Sequence, residues 1–221
     1  MRILITAGPT RERIDPVRFI SNRSSGKMGY AIAQSARQRG HQVKLVSGPV
    51  HLPVPEGVER IMVESAGEML AAVNAGLIAC DVLIMAAAVA DWKPAAASSQ
   101  KLKKADAAST LELVRTPDIL QTIMPLKNGK IFVGFAAETE NLHQEARRKM
   151  AAKQLDLMVA NDVSRADAGF EVDTNQVVFF TPDGNSRELP LMSKAAVADE
   201  IMAWVESAYN AGPVGAPHST I

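Results

Sequence analysis

The chain has 221 residues, enough for one large α/β domain or two small ones. Its 24 basic and 24 acidic residues cancel, so net charge gives no argument for a nucleic-acid or membrane partner. The single cysteine, Cys80, excludes an internal disulfide and suits the cytoplasm, and no apolar run approaches the roughly 20 residues of a membrane span.

Short apolar runs alternate with segments of helical spacing along most of the chain. In chain order they predict a strand over 2–6, a helix over 26–39, a strand over 41–47, a helix over 65–79, strands over 81–89 and 130–135, a helix over 139–154, a strand over 155–160 and a helix over 195–209. Ser65 and Glu68 form a predicted capping box. This alternation predicts an α/β fold with a Rossmann-like, doubly wound parallel sheet.

Two segments depart from the alternation. Two β-rich runs flank Pro182-Asp183-Gly184, which predicts an antiparallel hairpin over about 175–193 that extends one edge of the sheet. A charged segment and a short strand make poor core over about 98–117, so we predict an arm or flap there. We therefore expect a single domain over 1–209 and a flexible tail over 210–221.

The stretch SNRSSGKMG, residues 21–29, has the composition of a phosphate-binding loop just before a predicted helix. Met28 stands where a Walker loop needs Ser or Thr, and the segment after the first strand, Ala7-Gly8-Pro9-Thr10, lacks the second glycine of the dinucleotide fingerprint. Backbone amides at a helix N-terminus can bind an anion without either motif. The alternative is a plain cap, in which Ser24 or Ser25 caps the helix and Lys27 is solvated.

The α/β opening also fits a nicotinamide-dependent oxidoreductase or a non-catalytic nucleotide-binding module. A short-chain dehydrogenase needs a Tyr-x3-Lys pair, and the chain has Gln34 at that spacing after Tyr30 and Pro213 after Tyr209. The oxidoreductase is therefore disfavoured. A protein that binds a nucleotide without turnover stays open.

Several candidate residues follow predicted strands, where open α/β sheets bind their ligands. Asp91 could accept from a ribose hydroxyl or a base amine, or merely cap a turn, and Phe135 could stack on a base or pack in the core. Asn161-Asp162 is a polar pair at a third strand end, or simply a turn.

Three lysines are candidates for binding a polyphosphate. Lys149 and Lys153 lie four residues apart and share a helix face, although a surface pair of Glu145 with Lys149 is the simpler interpretation. Lys101 begins the run KLKK, which by itself indicates a solvated face.

The stretches ILITAGPTRERIDPVRFISNRSSGKMGYAIA, AAVADWKP, KLKK, TPDIL, VGFAAET and ANDV, in this order, closely resemble the bacterial phosphopantothenoylcysteine synthetase family. The resemblance covers about residues 2–205. This ligase of coenzyme A synthesis is often fused to a flavin-dependent decarboxylase, and the decarboxylase half is not in this chain.

The resemblance implies a ligase that activates the carboxylate of phosphopantothenate with CTP and then condenses it with L-cysteine. It also implies Mg²⁺ on the triphosphate and a homodimer that uses the arm. Asn22 and Lys101 are implied to be catalytic, and the metal ligands stay unassigned. The implied nucleotide-binding residues are Met85, Ala86, Ala87, Asp91, Lys101, Pro117, Asp118, Ile119, Leu120, Phe135, Lys149 and Lys153. The predicted phosphate loop comprises Gly8, Ser24, Ser25, Gly26, Lys27 and Met28.

Overall fold

A computed structural model describes residues 1–103, 110–138, 141–162 and 172–212. The helices are α1 (Lys27–Gln38), α2 (Ala66–Leu77), α3 (Ile119–Ile123), α4 (Leu142–Ala152) and α5 (Lys194–Ala211). The strands are β1 (Arg2–Ala7), β2 (Arg11–Arg13), β3 (Phe19–Ser21), β4 (Gln42–Ser47), β5 (Glu59–Met62), β6 (Val82–Met85), β7 (Trp92–Pro94), β8 (Leu113–Arg115), β9 (Ile131–Glu138), β10 (Leu157–Asp162), β11 (Thr174–Asn175), β12 (Val177–Phe180), β13 (Ser186–Glu188) and β14 (Met192–Ser193).

The centre of the molecule is an eight-stranded sheet in the order β13-β12-β10-β9-β6-β1-β4-β5. The strands from β10 to β5 are parallel, and β12 and β13 continue the β10 edge as an antiparallel hairpin. The chain winds outward from β1 through β4 to β5, then crosses back to β6 and winds the other way. This reversal between β1 and β6 is the switch point at which such sheets open a crevice. The predicted doubly wound fold with a hairpin extension is confirmed.

Side chains of the central strands alternate between two helical layers. Ile3 and Ile5 of β1 join the core that contains residues of α1 and α5, whereas Leu4 joins the opposite core with residues of α2, α3 and α4. Both faces of β1 are therefore buried, and such a strand reads as an apolar run without alternation. This explains why the parallel strands could be recognised but their faces could not be assigned from the sequence.

The prediction lacks strands β2, β3, β5 and β7 and the short helix α3. The hairpin β2–β3 has the sequence Arg-Glu-Arg paired with Phe-Ile-Ser, and β7 pairs with the predicted short strand β8. These small surface ribbons lack the apolar pattern by which strands are recognised. Residues 104–109 of the predicted arm and residues 213–221 of the predicted tail lie outside the described part, whereas α5 continues through Ala211.

The start of α2 agrees with half of the predicted capping box. Ser65 caps the helix and accepts from the N–H of Glu68 at 3.2 Å. The carboxylate of Glu68 reaches back one residue further than expected, to the N–H of Glu64 at 2.7 Å. Among the described helices, none combines the length and the hydrophobicity that a bilayer crossing requires.

Candidate functional site

A cavity of about 750 Å³ opens at the carboxyl ends of the parallel strands, beside the switch point. Its wall is formed by the loop before α1, the loop after β6, the end of β8 and the start of α3, the middle of β9, and α4. The predicted site residues that line it are Asn22, Ser24, Ser25, Gly26, Lys27, Met28, Met85, Ala86, Ala87, Asp91, Pro117, Asp118, Ile119, Leu120, Phe135, Lys149 and Lys153. Residues far apart in the sequence thus share one wall, as the motifs predicted.

Gly26 gives the phosphate loop its shape. It is the N-cap of α1 with φ of 78°, a left-handed conformation that favours glycine, and it has no side chain with which to cap the helix. The hydroxyl of Ser24 accepts from the N–H of Gly26 at 3.3 Å, within the loop itself. The interpretation in which Ser24 or Ser25 caps α1 is therefore wrong. The amides of the first helical turn have no intrahelical acceptor, and the residues that carry them line the cavity.

Gly8 supports this loop from behind rather than lining the cavity. Its carbonyl accepts from the N–H of Ala88 at 2.9 Å, so it joins the end of β1 to the loop after β6. A Cβ at Gly26 would lie 3.3 Å from the Cα of Gly8 and 2.8 Å from a methyl carbon of Val50. Both glycines are needed because the backbone segments pack this closely.

Lys27 pairs with a carboxylate, so the interpretation of a merely solvated lysine is wrong. Its Nζ lies 2.6 Å from Oδ1 of Asp173, and the lysine holds the pKa of that carboxyl below its ordinary value. Lys194 at the start of α5 also lines the cavity, and burial, followed by the charge of Lys27, lowers its pKa. This end of the cavity therefore has a positive lining.

Asn22 ties the loop after β6 to the loop before α1. Its Nδ2 donates to the carbonyl oxygens of Ala88 and Val89, both at 3.1 Å. A primary amide has two N–H hydrogens, and these two contacts use both of them. In this state the side chain holds the backbone that leads to Asp91.

The opposite wall is basic and carries its own ion pair. Nζ of Lys153 lies 3.2 Å from Oδ2 of Asp118, which caps α3 by accepting from the N–H of Gln121 at 3.1 Å. Lys149 lines the cavity one turn earlier on α4. Phe135 is partly buried against the core, so core packing is confirmed, and it also lines the cavity, where stacking on a base stays a prediction.

A comparison with known protein families identifies the family of this chain. The description "DNA/pantothenate metabolism flavoprotein C-terminal domain" fits residues 1–209. The chain belongs to this family. The resemblance noted in the motifs is thereby confirmed.

Relatives and solved structures of this flavoprotein C-terminal domain family agree. The chain is 54% identical over 201 residues to "Coenzyme A biosynthesis bifunctional protein CoaBC" of Bacillus subtilis (strain 168), covering 90% of this chain and 50% of that protein. It thus spans about half the length of the curated relatives it matches. A crystal structure of the C-terminal domain of CoaBC superposes with a TM-score of 0.82 at 44% identity, over 95% of this chain and 96% of the other. A Cab2 variant in complex with phosphopantothenate-cysteine has a TM-score of 0.76 at 16% identity, over 95% and 88%, and so shares the fold.

Within this family fold, the cavity has a polar end at which Asn161 was a candidate from the sequence and Asn175 and Lys194 were not. Asn161 and Asn175 both line it, with Nδ2 of Asn161 3.4 Å from Oδ1 of Asn175. Oδ1 of Asn161 is buried, and no residue of the described ranges donates to it. Asn161 was recognisable only as polar and at a strand end, whereas Asn175 and Lys194 come from distant segments that carry no spacing signal. An acceptor of this kind suits a ligand that brings its own donor.

Two residues at the mouth were also missed. The guanidinium of Arg115 lies 5.5 Å from the ring centre of Trp92, because the register of β7 with β8 places them opposite each other. Both line the cavity. Their pairing depends on a hairpin that the sequence did not reveal.

The remaining predictions fall outside the cavity wall. Lys101 is exposed and lies on the described start of the arm. Cys80 is buried, and burial raises the pKa of its thiol to about 11, so the thiolate is scarce near neutral pH. Within the described residues, no group of three His, Cys, Asp or Glu side chains is arranged to hold a metal ion.

Proposed function

We propose that this chain is a phosphopantothenate–cysteine ligase that uses CTP. One observation carries the proposal: a single cavity at the switch point combines a helix N-terminus and lysines on opposite walls with polar groups at strand ends. Such a site can hold a polyphosphate and a second anion together, because fixed donors and cations screen their repulsion.

The reaction needs this screening in its first step. A carboxylate oxygen of phosphopantothenate attacks the α-phosphorus of CTP, a carbon–oxygen–phosphorus link forms, and the α–β anhydride bond breaks to release pyrophosphate. The amine of L-cysteine then attacks the activated carbonyl carbon, the amide bond forms, and CMP leaves as the amine loses a proton. The Cab2 variant, which shares this fold, is in complex with phosphopantothenate-cysteine, and this supports the assignment of the product class.

Most of the polar groups in the cavity suit the nucleotide, and Asn22 suits both reactants. The N-terminus of α1 and Lys149 and Lys153 suit the triphosphate. Phe135 offers a ring face for the base, and Asp91 a carboxylate for a ribose or base donor. Asn22 lies in the loop before α1 and contacts the loop after β6, a position that supports a role close to both reactants.

Mg²⁺ fits this cavity as an ion carried by the triphosphate. Mg²⁺ commonly binds one or two carboxylates together with substrate phosphates, and it keeps several waters. The carboxylate of Asp118 is engaged by Lys153 and by the cap of α3, and that of Asp91 is assigned to the ribose or the base. The ion would therefore be held by the phosphates and its waters, and when bound it would neutralise charge on the phosphates.

The nucleotide and the reaction are tested together by a pyrophosphate-release assay. We expect release that requires both phosphopantothenate and CTP, is much slower with ATP, and leaves an acyl cytidylate when cysteine is omitted. A protein that binds CTP, as judged by thermal stabilisation, but releases no pyrophosphate would be a binding-only relative. Absence of both binding and release would refute the ligase assignment.

We also propose that two copies of the chain associate through the faces of the two small hairpins. Large apolar side chains are exposed there: Val17 (60%), Phe19 (45%), Trp92 (46%), Leu113 (42%) and Val114 (38%). Strands β2 and β7 are in contact, so the two hairpins lie side by side at the base of the arm. Apolar areas of this kind mark protein interfaces, and a homodimer is the form of association that the family resemblance implies.

Phe19→Glu should convert the dimer to a monomer, because a carboxylate would be buried against apolar side chains at the interface. Sedimentation equilibrium of the variant checks this. Ile78→Glu is the matched control, since Ile78 is 86% exposed at the end of α2, away from both hairpins. A native chain that sediments as a monomer, or a Phe19→Glu variant that remains dimeric, would contradict the assigned surface.

We also propose that the chain is fused to or associated with a decarboxylase and that it acts in the cytoplasm.

A further inference from the structure

The turn of the β2–β3 hairpin is built around a buried carboxylate. Asp15 is only 2% exposed although the hairpin lies at the surface. Its Oδ1 accepts hydrogen bonds from the backbone N–H groups of Val17 and Arg18, both at 2.8 Å. An aspartate that accepts from residues two and three positions on is a common way to close a turn. One carboxylate oxygen is therefore sufficient for the turn itself.

The second oxygen of Asp15 holds a different part of the chain. Oδ2 accepts from the backbone N–H of Leu102 at 3.2 Å and from Nε of Arg18 at 2.9 Å. Nη2 of Arg18 in turn donates to the carbonyl oxygen of Leu102 at 3.0 Å. Both backbone groups of Leu102 are thus bound by the Asp15–Arg18 pair. Leu102 is the immediate neighbour of Lys101.

The hydrogen bonds that hold Leu102 are one tether of the arm to the hairpin, and a second tether lies on the other side of Lys101. The N–H of Ser98 donates to the carbonyl oxygen of Ile14 at 2.9 Å, so the segment 98–102 is bound to the hairpin turn near both of its ends. The side chain of Lys101 is exposed and makes no hydrogen bond or ion pair with the described residues. The reach of its ammonium group is therefore set by where the backbone is held.

The same hairpin also leads directly into Asn22. Strand β3 ends at Ser21, whose hydroxyl donates to the carbonyl oxygen of Thr10 at 2.8 Å, and Asn22 follows. One end of the hairpin thus positions Asn22, and its turn holds the segment that carries Lys101. The pKa of Asp15 is held well below its usual range, chiefly by Arg18, so the carboxylate is ionised at neutral pH.

We propose that Asp15 is a positioning residue: with Arg18 it fixes the backbone of the arm, so that Lys101 keeps a constant position relative to Asn22. The inference rests on the proposed function, because it takes Lys101 and Asn22 as groups that act on the substrates. Asp15 itself does not line the cavity.

Asp15→Asn should keep the hydrogen bonds that close the turn and lose those that hold Leu102. The amide oxygen can still accept from Val17 and Arg18, but the amide nitrogen replaces Oδ2 and presents donors to the N–H of Leu102 and to the guanidinium, which are donors too. We expect a loss of about 10- to 100-fold in the single-turnover rate of pyrophosphate release, the range typical of lost support for a reacting group.

A double-mutant cycle distinguishes positioning from general damage. In the Lys101→Gln background, Asp15→Asn should cost no more than about threefold, because the group through which it acts is already gone. Equal losses in both backgrounds, or no loss in the native background, would overturn the proposal. Arg13→Gln is the matched control, because Arg13 is on the same hairpin but its side chain pairs with Glu64 rather than with the arm. This variant should leave the rate unchanged.

Two further measurements keep the test decisive. Hydrogen exchange of the Leu102 amide should be faster in Asp15→Asn, and this readout does not depend on activity. If the native chain releases no pyrophosphate, the proposed function fails, whereas unchanged exchange at Leu102 refutes the tether itself. If Asp15→Asn does not fold, Arg18→Lys takes its place in the cycle, because it removes the fork that binds Leu102 while retaining the charge beside Asp15.

Discussion

Asn22→Asp should lower the rate of pyrophosphate release by about 10²–10³-fold while the protein stays folded, because it loses two backbone contacts beside the reaction centre and adds a negative charge there. The native amide donates to the carbonyl oxygens of Ala88 and Val89 at 3.1 Å. A carboxylate has no hydrogen to donate, so two attractive contacts become repulsive ones. The residues displaced are those that lead to Asp91.

The same substitution also places a negative charge where two anions must approach each other. In a partly enclosed cavity this repulsion is stronger than in water, so it raises the barrier of the first step in particular. Single-turnover pyrophosphate release measures that step directly. Thermal unfolding should change by only a few degrees, since each lost hydrogen bond contributes about 1 kcal/mol.

Arg23→Ala is the matched control for this experiment. Arg23 is the next residue and is exposed, and it does not line the cavity. Its removal should leave the rate within about threefold of native, as surface substitutions away from special contacts usually do. An Asn22→Asp protein with native activity would remove Asn22 from the reaction centre. A loss as large in Arg23→Ala would show that the loop, rather than the amide, is what matters.

The parts of the fold that were predictable from the sequence are those with a strong local pattern. The apolar runs of β1, β6, β9 and β10 could be recognised because the parts of a strand that are buried on both faces carry few polar residues. The hairpin β12–β13 was marked by Pro182-Asp183-Gly184 at its turn. These signals act over a few residues, and they place the edge of the sheet correctly.

The parts that were not predictable depend on contacts between distant segments. Nothing in Arg-Glu-Arg indicates a strand, and β2 pairs with β3 across a turn that Asp15 closes. Thr6 and Thr10 are fully buried, and their hydroxyls accept from the N–H groups of Ala87 and Ala90 across the switch point. In the sequence they are ordinary threonines. The motifs identified most of the cavity wall, but these supporting contacts needed coordinates.

Gly29 should not tolerate alanine, although helix propensity alone predicts that alanine would stabilise α1. Gly29 lies inside α1, where alanine is favoured over glycine by about 1 kcal/mol. A Cβ there would lie 2.5 Å from Cβ of Ala7 and 3.0 Å from Cα of Ala7 and the carbonyl oxygen of Thr6. Two of these atoms belong to the backbone of β1, in the middle of the sheet, and cannot rotate away.

Overpacking of this kind costs about 1–3 kcal/mol, and the cost is at the upper end where backbone must move. It therefore outweighs the gain in propensity, and Gly29→Ala should unfold several degrees below the native protein. Because α1 would be pushed away from β1, the first-turn amides at Gly26 and Lys27 would shift as well. We expect CTP to stabilise the variant less than it stabilises the native chain, with at least a tenfold weaker affinity, since anion binding by a helix N-terminus depends on aligned donors.

Gly67→Ala is the comparison that isolates this argument. Gly67 lies in the first turn of α2, and a Cβ there would meet nothing nearer than Oγ of Ser65 at 3.8 Å. The same chemical change should thus be neutral or stabilising by up to about 1 kcal/mol, with CTP binding unaltered. Urea unfolding of both variants with and without CTP measures the two effects separately. If Gly29→Ala proved as stable as Gly67→Ala, the close contact of α1 with β1 could not be what holds the phosphate loop in place.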